Sequence, residues 1–306
     1  MSGLRVTLLG SVRVEHQGRP ASEQPTRAVQ ALLAYLLVQR HRCHSRDVLT
    51  GLFWADQDED SARGCLNTAV WRLRRVLEPD GIPRGTYLVK TGDGEIGFNS
   101  ESNYWLDTSV LEAGVSRLLR RPATAIETPD VEQVEDTLRL YTGDFLEGNY
   151  QDWALRERER LRGLYLNGLA RIMRHHDGRG AHEKGLACGE KILALDPLRE
   201  EIHREMMRMY LKNGQRAHAA RQYEICRDLL AAELSVEPMD ETRAVYAQIA
   251  GGNREKSNTR TLGTHAATLH SVLQRLRDAV HDVEQAREQC QRALQLAEQL
   301  TDGRKR

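Results

Sequence analysis

Arg63, Asn67, Thr68, Trp71, Arg72, Arg74 and Arg75 crowd into the stretch between Asp60 and Leu77. An arginine guanidinium can bridge guanine O6 and N7 with two hydrogen bonds, asparagine can read adenine, and threonine can touch a thymine methyl. Further arginines neutralise phosphates. A helix lying in the major groove of DNA needs such a set, but a solvated surface helix also carries charged side chains. The elements around the stretch therefore decide how it is read.

Leu66, Val70, Leu73 and Leu77 recur at helical spacing and predict a helix from Ser61 to Leu77, capped by Asp60 or Ser61 and stopped by Pro79 and Gly81. Upstream, Leu4 to Glu15 alternates apolar and polar residues on either side of Gly10-Ser11, as a small antiparallel hairpin does. Thr26 to Arg40 places Val29, Leu32, Leu33, Leu36 and Leu37 on one helical face, and Ser45 opens a shorter helix that ends near Trp54. Downstream, Tyr87 to Lys90, the turn Thr91-Gly92-Asp93-Gly94 and the run Glu95 to Phe98 predict a second hairpin. Sheet, three helices and terminal hairpin are the order of a winged helix-turn-helix. Within it, Arg72 is the first candidate for a base contact, Asn67 and Thr68 are further base readers, and Arg63, Arg74 and Arg75 suit phosphates. Trp71 either packs on sugar edges or shields the helix junction. Lys90 and Thr91 reach the backbone from the wing, whose tip is kept peripheral by Asp93 and Glu95.

The chain has 306 residues, with 44 Lys and Arg balanced by 44 Asp and Glu, so any nucleic-acid contact must come from a local basic face. Cys43, Cys65, Cys188, Cys226 and Cys290 form no CxxC pair, which speaks against a zinc ribbon or a disulfide framework and fits a reducing cytoplasm. No apolar run approaches the roughly 20 residues of a membrane span. His41-Arg42-Cys43-His44 lacks the second cluster that a tetrahedral metal site needs, as do His175, His176 and His182. Gly92 to Gly97 matches GxGxxG but lies in a hairpin, whereas a dinucleotide site needs the turn to open a helix. No metal, cofactor or catalytic constellation is expected, and an enzyme is a poor reading.

From Trp105 onward the pattern is almost wholly helical, with loops near 121–129 and after His176. Ala194-Leu195-Asp196-Pro197 is echoed by Ser235-Val236-Glu237-Pro238, each between helices. Between them, helix Glu200 to Lys212, a turn at Gly214 and helix Ala217 to Ala232 resemble a tetratricopeptide hairpin with a longer period. Gly251 to Thr264 is polar and reads as a linker. Leu269, Leu273, Leu276, Val280 and Val283 then step by threes and fours in an amphipathic helix that either pairs with a second copy or docks on its own domain. The expected fold is mainly α with a small β component: a winged helix-turn-helix over 1–103, an all-α tetratricopeptide-like domain over 104–250, a linker over 251–264 and a C-terminal helix over 265–303.

These residues resemble the Streptomyces antibiotic regulatory protein (SARP) family, which couples an OmpR-type winged helix to a bacterial transcriptional activator domain. The marks are Leu8-Leu9-Gly10, Leu52-Phe53-Trp54 before an acidic loop, Val70 to Leu77, Tyr141 to Gly148 with Asp152-Trp153-Ala154, and Leu195-Asp196-Pro197. The resemblance spans Leu4 to about Ala250. It implies a cytoplasmic activator that binds repeated elements in double-stranded promoter DNA, at least as a homodimer on the DNA, and recruits RNA polymerase. In OmpR-type proteins the loop matching Asp56, Asp58 and Glu59 can face the sigma subunit; simple helix capping is the alternative role. Larger relatives carry an ATPase module, whereas no GxxxxGK[ST] occurs here. The competing functional class is a protein-interaction scaffold, or an effector-controlled regulator, without autonomous DNA binding.

Overall fold

The computed structural model describes residues 3–21, 25–122 and 125–251. The amphipathic stretch with Leu269, Leu273, Leu276, Val280 and Val283, and the linker from 252 on, lie outside the described residues. Two compact units are distinguished, Met1–Pro238 and a second beginning at Met239.

The first unit opens with β1 (Leu4–Thr7), β2 (Arg13–His16) and β3 (Arg19–Pro20). Helices α1 (Arg27–Val38), α2 (Arg46–Phe53) and α3 (Glu59–Leu77) follow, then the hairpin β4 (Leu88–Lys90) and β5 (Ile96–Phe98), and then β6 (Tyr104–Leu106). The remainder is helical: α4 (Asp107–Arg120), α5 (Thr128–Leu138), α6 (Asp152–Gly178), α7 (His182–Leu195), α8 (Glu200–Lys212) and α9 (Arg216–Leu234). In the second unit α10 (Asp240–Gly251) starts with the N–H groups of Thr242 and Arg243 donating to Met239 O at 3.0 and 3.1 Å.

The N-terminal hairpin is one part of a four-stranded sheet of order β3-β2-β1-β6. Strand β2 runs antiparallel to β1, with Val6 opposite Val14, while β6 pairs parallel to β1, with Val6 opposite Leu106. A parallel neighbour cannot come from a tight turn. Here it comes from the far side of α1 to α3 and the β4–β5 hairpin.

The residue after β6 locks the arrangement. Asp107, 1% exposed, accepts the N–H groups of Leu8 (2.8 Å) and Leu9 (2.9 Å) on Oδ2 and its neighbour Thr108 N–H (2.7 Å) on Oδ1. The loop 142–146 closes on the same strand end. Gly10 N–H donates to Asp144 O (3.0 Å), Leu146 N–H to Leu8 O (3.1 Å), and Thr142 Oγ1 to Leu9 O (2.9 Å). Gly10 has φ +78°, and a Cβ there would lie 2.9 Å from Thr142 Oγ1, so this approach requires glycine. From α6, Arg158 clamps the loop by donating to the carbonyls of Phe145, Leu146 and Asn149. Leu8-Leu9-Gly10 and Tyr141 to Gly148, 130 residues apart in the chain, thus form one joint.

Helix α6 also supports the three-helix part directly. Trp153 packs edge-on against Tyr35 of α1 (ring centroids 5.2 Å) and lies beside Phe53 of α2 and Phe145. Gln151 Nε2 donates to Leu52 O at the end of α2 (2.9 Å). Helices α6 to α9 pack each against the next in sequence, with Gly214 (φ +72°) turning α8 into α9. No described helix is long and apolar enough to cross a membrane.

Candidate nucleic-acid interface

Helix α3 begins two residues earlier than its sequence pattern predicts. Asp58, rather than Asp60 or Ser61, is the N-cap: its Oδ1 accepts Ser61 N–H at 3.0 Å. That hydrogen bond holds the Asp58 carboxyl below the usual carboxylate range. The buried face consists of Ala62, Leu66, Ala69, Leu73, Val76 and Leu77, packed on α1 and α2. Val70, expected on that face, is only half-buried, because the stripe follows Ala62, Ala69 and Val76 instead. At the far end His16 Nε2 lies 2.8 Å from Val76 O and ties the helix to the sheet.

Burial of this stripe leaves Arg63, Asn67, Thr68, Trp71, Arg72 and Arg75 on the exposed side. Trp71 is 52% exposed, and the Arg75 guanidinium carbon lies 5.0 Å from the centre of its ring. Arg72 forms no hydrogen bond or ion pair with the described residues. Arg63 pairs with Glu59 one turn back (2.5 Å) where both are exposed, an interaction weak enough to exchange for a phosphate. Thr68 Oγ1 donates to Gly64 O (3.0 Å). Asn67 Oδ1 accepts from Arg46 on α2. Arg46 thereby joins the exposed cationic face, a residue that the sequence pattern did not single out because it belongs to the preceding helix.

Arg74 does not share this face. Its guanidinium pairs with Glu78 (2.6 Å) and donates to Leu88 O on β4 (3.2 Å), and its side chain is only 19% exposed. Glu78, fully buried in its side chain, uses its other oxygen to accept the N–H groups of Gly85, Tyr87 and Leu88 at 2.9–3.0 Å. Arg74 and Glu78 therefore join α3 to the β4–β5 hairpin. The expectation that Arg74 contacts phosphate meets this geometry: two of its donors are engaged by Glu78 and Leu88 O inside the fold, and the side chain is mostly buried.

The wing pairs Leu88 with Phe98 and Lys90 with Ile96. Its inner strand is pinned from the other side, where His44 and Ile96 exchange both backbone hydrogen bonds at 2.9 Å. Gly97 permits this contact, since a Cβ there would sit 2.7 Å from Cys43 Sγ. Lys90 is exposed. Thr91 is partly occupied in its own turn, its Oγ1 accepting Glu95 N–H at 3.1 Å. His44 turns inward against Tyr35 (ring centroids 5.0 Å), and burial together with Arg42 lowers its pKa.

Asp56, Asp58, Thr68 and Arg72 line one open cleft of about 800 Å³ between the start of α1, the α2–α3 loop and α3. The acidic loop and the leading arginine are thus neighbours rather than separate surfaces. Glu59 is occupied with Arg63, and Asp58 with the helix cap.

The first unit is thus a winged helix-turn-helix joined through a shared sheet to a helical, tetratricopeptide-like part. Residues 106–250 match the family Bacterial transcriptional activator domain. Regulatory protein AfsR of Streptomyces coelicolor is 27% identical over 236 residues, covering 77% of this chain and 23% of AfsR. Transcriptional regulatory protein MoaR1 of Mycobacterium tuberculosis is 25% identical over 236 residues, covering 72% of this chain and 71% of MoaR1. The chain thus spans about a quarter of the length of AfsR. A solved structure of Mycobacterium tuberculosis EmbR, in complex with a low-affinity phosphopeptide, superposes with a TM-score of 0.62 at 21% identity, over 90% of this chain and 72% of that one, and shows the same fold. Over most of its described length the chain is thus similar to SARP-type regulatory proteins, and its residues 106–250 match their activator domain.

Proposed function

We propose that this chain is a promoter-binding transcriptional activator acting in the bacterial cytoplasm, with residues 1–103 carrying the DNA contacts and 104–250 the activator domain. The observation that carries the reading is the outer face of α3, where Arg72, Trp71 and Arg75 stand exposed while the opposite stripe is buried. Laid in a major groove, this face puts Arg72 on a base edge, Asn67 and Thr68 beside it, and Arg63 and Arg75 toward phosphates. Lys90 and Thr91 meet the backbone from the wing. Arg74 acts indirectly, by fixing the wing against the helix.

Two protomers on repeated half-sites raise each other's occupancy through effective concentration. The loop with Asp56, Asp58 and Glu59 stands at the edge of the DNA-facing side, where it offers acidic side chains to RNA polymerase sigma. Neutralising Asp56 lowers transcription at unchanged DNA affinity if that contact operates; Asp58 is less informative because it also caps α3.

The test is fluorescence anisotropy on promoter DNA adjoining the chain's own gene, for wild type and Arg72→Ala/Arg75→Ala, across a salt series. Sequence-specific, salt-dependent binding that the folded variant loses is the expected result. Equal binding by the variant removes α3 as the reader, and no binding by either protein favours the interaction scaffold.

A further inference from the structure

Helices α5, α6 and α7 enclose a second concavity, remote in sequence from the DNA-facing elements, of about 640 Å³. That volume lies within the range of small-molecule sites. Tyr141 and Tyr165 stack face to face on one side, with ring centroids 4.2 Å apart and planes at 12°. Leu169 and Ile172 of α6 continue the apolar wall. On the opposite side α7 presents Lys184, Ala187, Cys188 and Lys191, a single helical face by their spacing.

The polar groups are unevenly engaged. Lys184 and Lys191 are exposed and neither is in an ion pair with a described residue. The Tyr165 hydroxyl makes no hydrogen bond with the described residues. Glu135, the one carboxylate of the lining, is held by His176 Nε2 at 2.9 Å, and Arg139 pairs with Asp136 at 2.6 Å. Burial and nearby Glu135 push the Cys188 thiol up to about 11, so it stays protonated and unreactive. A stacked aromatic pair, an aliphatic floor and two ammonium groups without ion pairs among the described residues match one kind of occupant.

We propose that this groove binds a small amphipathic carboxylate, its apolar body against the Tyr141–Tyr165 pair, Leu169 and Ile172 and its anionic group taken by Lys184 and Lys191. The Tyr165 hydroxyl supplies a further hydrogen bond. The site adjoins the joint between the two halves of the first unit. The Tyr141 hydroxyl donates to Asp144 Oδ1 (2.6 Å), and Asp144 O accepts Gly10 N–H. The site does not depend on the proposed DNA contacts, and its test does not read them.

The probe is 2-naphthoate, titrated into the full chain by isothermal calorimetry, with the neutral 2-naphthalenemethanol as its isostere. Saturable one-to-one binding of the acid is expected, weakened about tenfold or more by Lys184→Gln/Lys191→Gln and by loss of the carboxylate. Ala187→Trp, at an exposed helix position whose substitution leaves the core untouched, fills the groove and abolishes binding. Absence of saturable binding overturns the proposal, as does binding indifferent to Ala187→Trp. Equal affinity for the alcohol overturns the assignment of an anionic ligand.

Discussion

Arg74 and Glu78 form an ion pair across one turn of helix at 2.6 Å, and the same two side chains take four backbone groups of the wing segment: one carbonyl and three N–H groups. A buried charge that loses its partner is far more costly than the pair is stabilising. Glu78→Ala should therefore destabilise the chain by about 3–5 kcal/mol in urea denaturation. A change below about 1 kcal/mol would show that the wing docks without it.

Salt dependence separates the arginines. Each phosphate contact contributes roughly one unit to the slope of log K against log salt. Arg75→Ala is expected to lower that slope by about one, whereas Arg74→Met lowers affinity with the slope retained. A reduced slope for Arg74→Met, measured on protein shown to be folded, would restore Arg74 to the DNA surface.

At the joint between strand and loop, Gly10→Ala meets two obstacles: a left-handed backbone and Thr142 Oγ1 at 2.9 Å from the new Cβ. Conformational strain of this kind costs of order 1–3 kcal/mol. Thermal unfolding should show the loss, and the double variant with Thr142→Ala should recover part of it, since neighbouring substitutions are not additive. Full additivity would locate the cost in the backbone alone.

His203 gives the stability a pH dependence. It is 2% exposed, its Nε2–H donates to Pro197 O (2.9 Å) and its Nδ1 accepts from Gln222 Nε2 (2.6 Å), a pattern that requires the neutral ring. Burial lowers its pKa from 6.5. Between the lowered value and 6.5 the unfolded chain binds more protons than the folded one, so stability is full above about 6.5 and falls as the pH drops below it. His44 and His175 are shifted in the same direction. Urea midpoints measured from pH 7.5 to 5 should decline, and less steeply for His203→Gln; parallel curves would exclude His203 as a contributor.

Periodicity and turn chemistry made much of this fold legible. The long apolar stripes of α1 and α3, the glycine turn of the wing and the pair α8–α9 all carry their signal within one element. What stayed hidden depends on distant partners. Tyr104–Leu106 is too short for alternation to show, and it is a strand only because β1 offers an edge. Asp107 looks like any acidic residue at a helix start until Leu8 and Leu9 are beside it. Arg72, Arg74 and Arg75 are equivalent by composition. Only the placement of Glu78 and β4 shows that Arg74 faces inward while its neighbours do not. Arg46 joined the exposed face for the same reason, through a helix-to-helix contact with Asn67.

The parallel pairing of β1 with β6 also bears on how the chain is made. A ribosome releases the amino terminus first, at about 5–20 residues per second. Strand β1 emerges with β2 beside it, but its other edge has no mate until Tyr104–Leu106 follow, and the amides of Leu8 and Leu9 wait for Asp107. By that rate the interval is about 5–20 seconds. During it the nascent chain carries an open strand edge, the feature that invites pairing with another chain. A gene fragment stopped before β6 would make that interval permanent, so the winged-helix elements are best produced with the start of the helical segment attached.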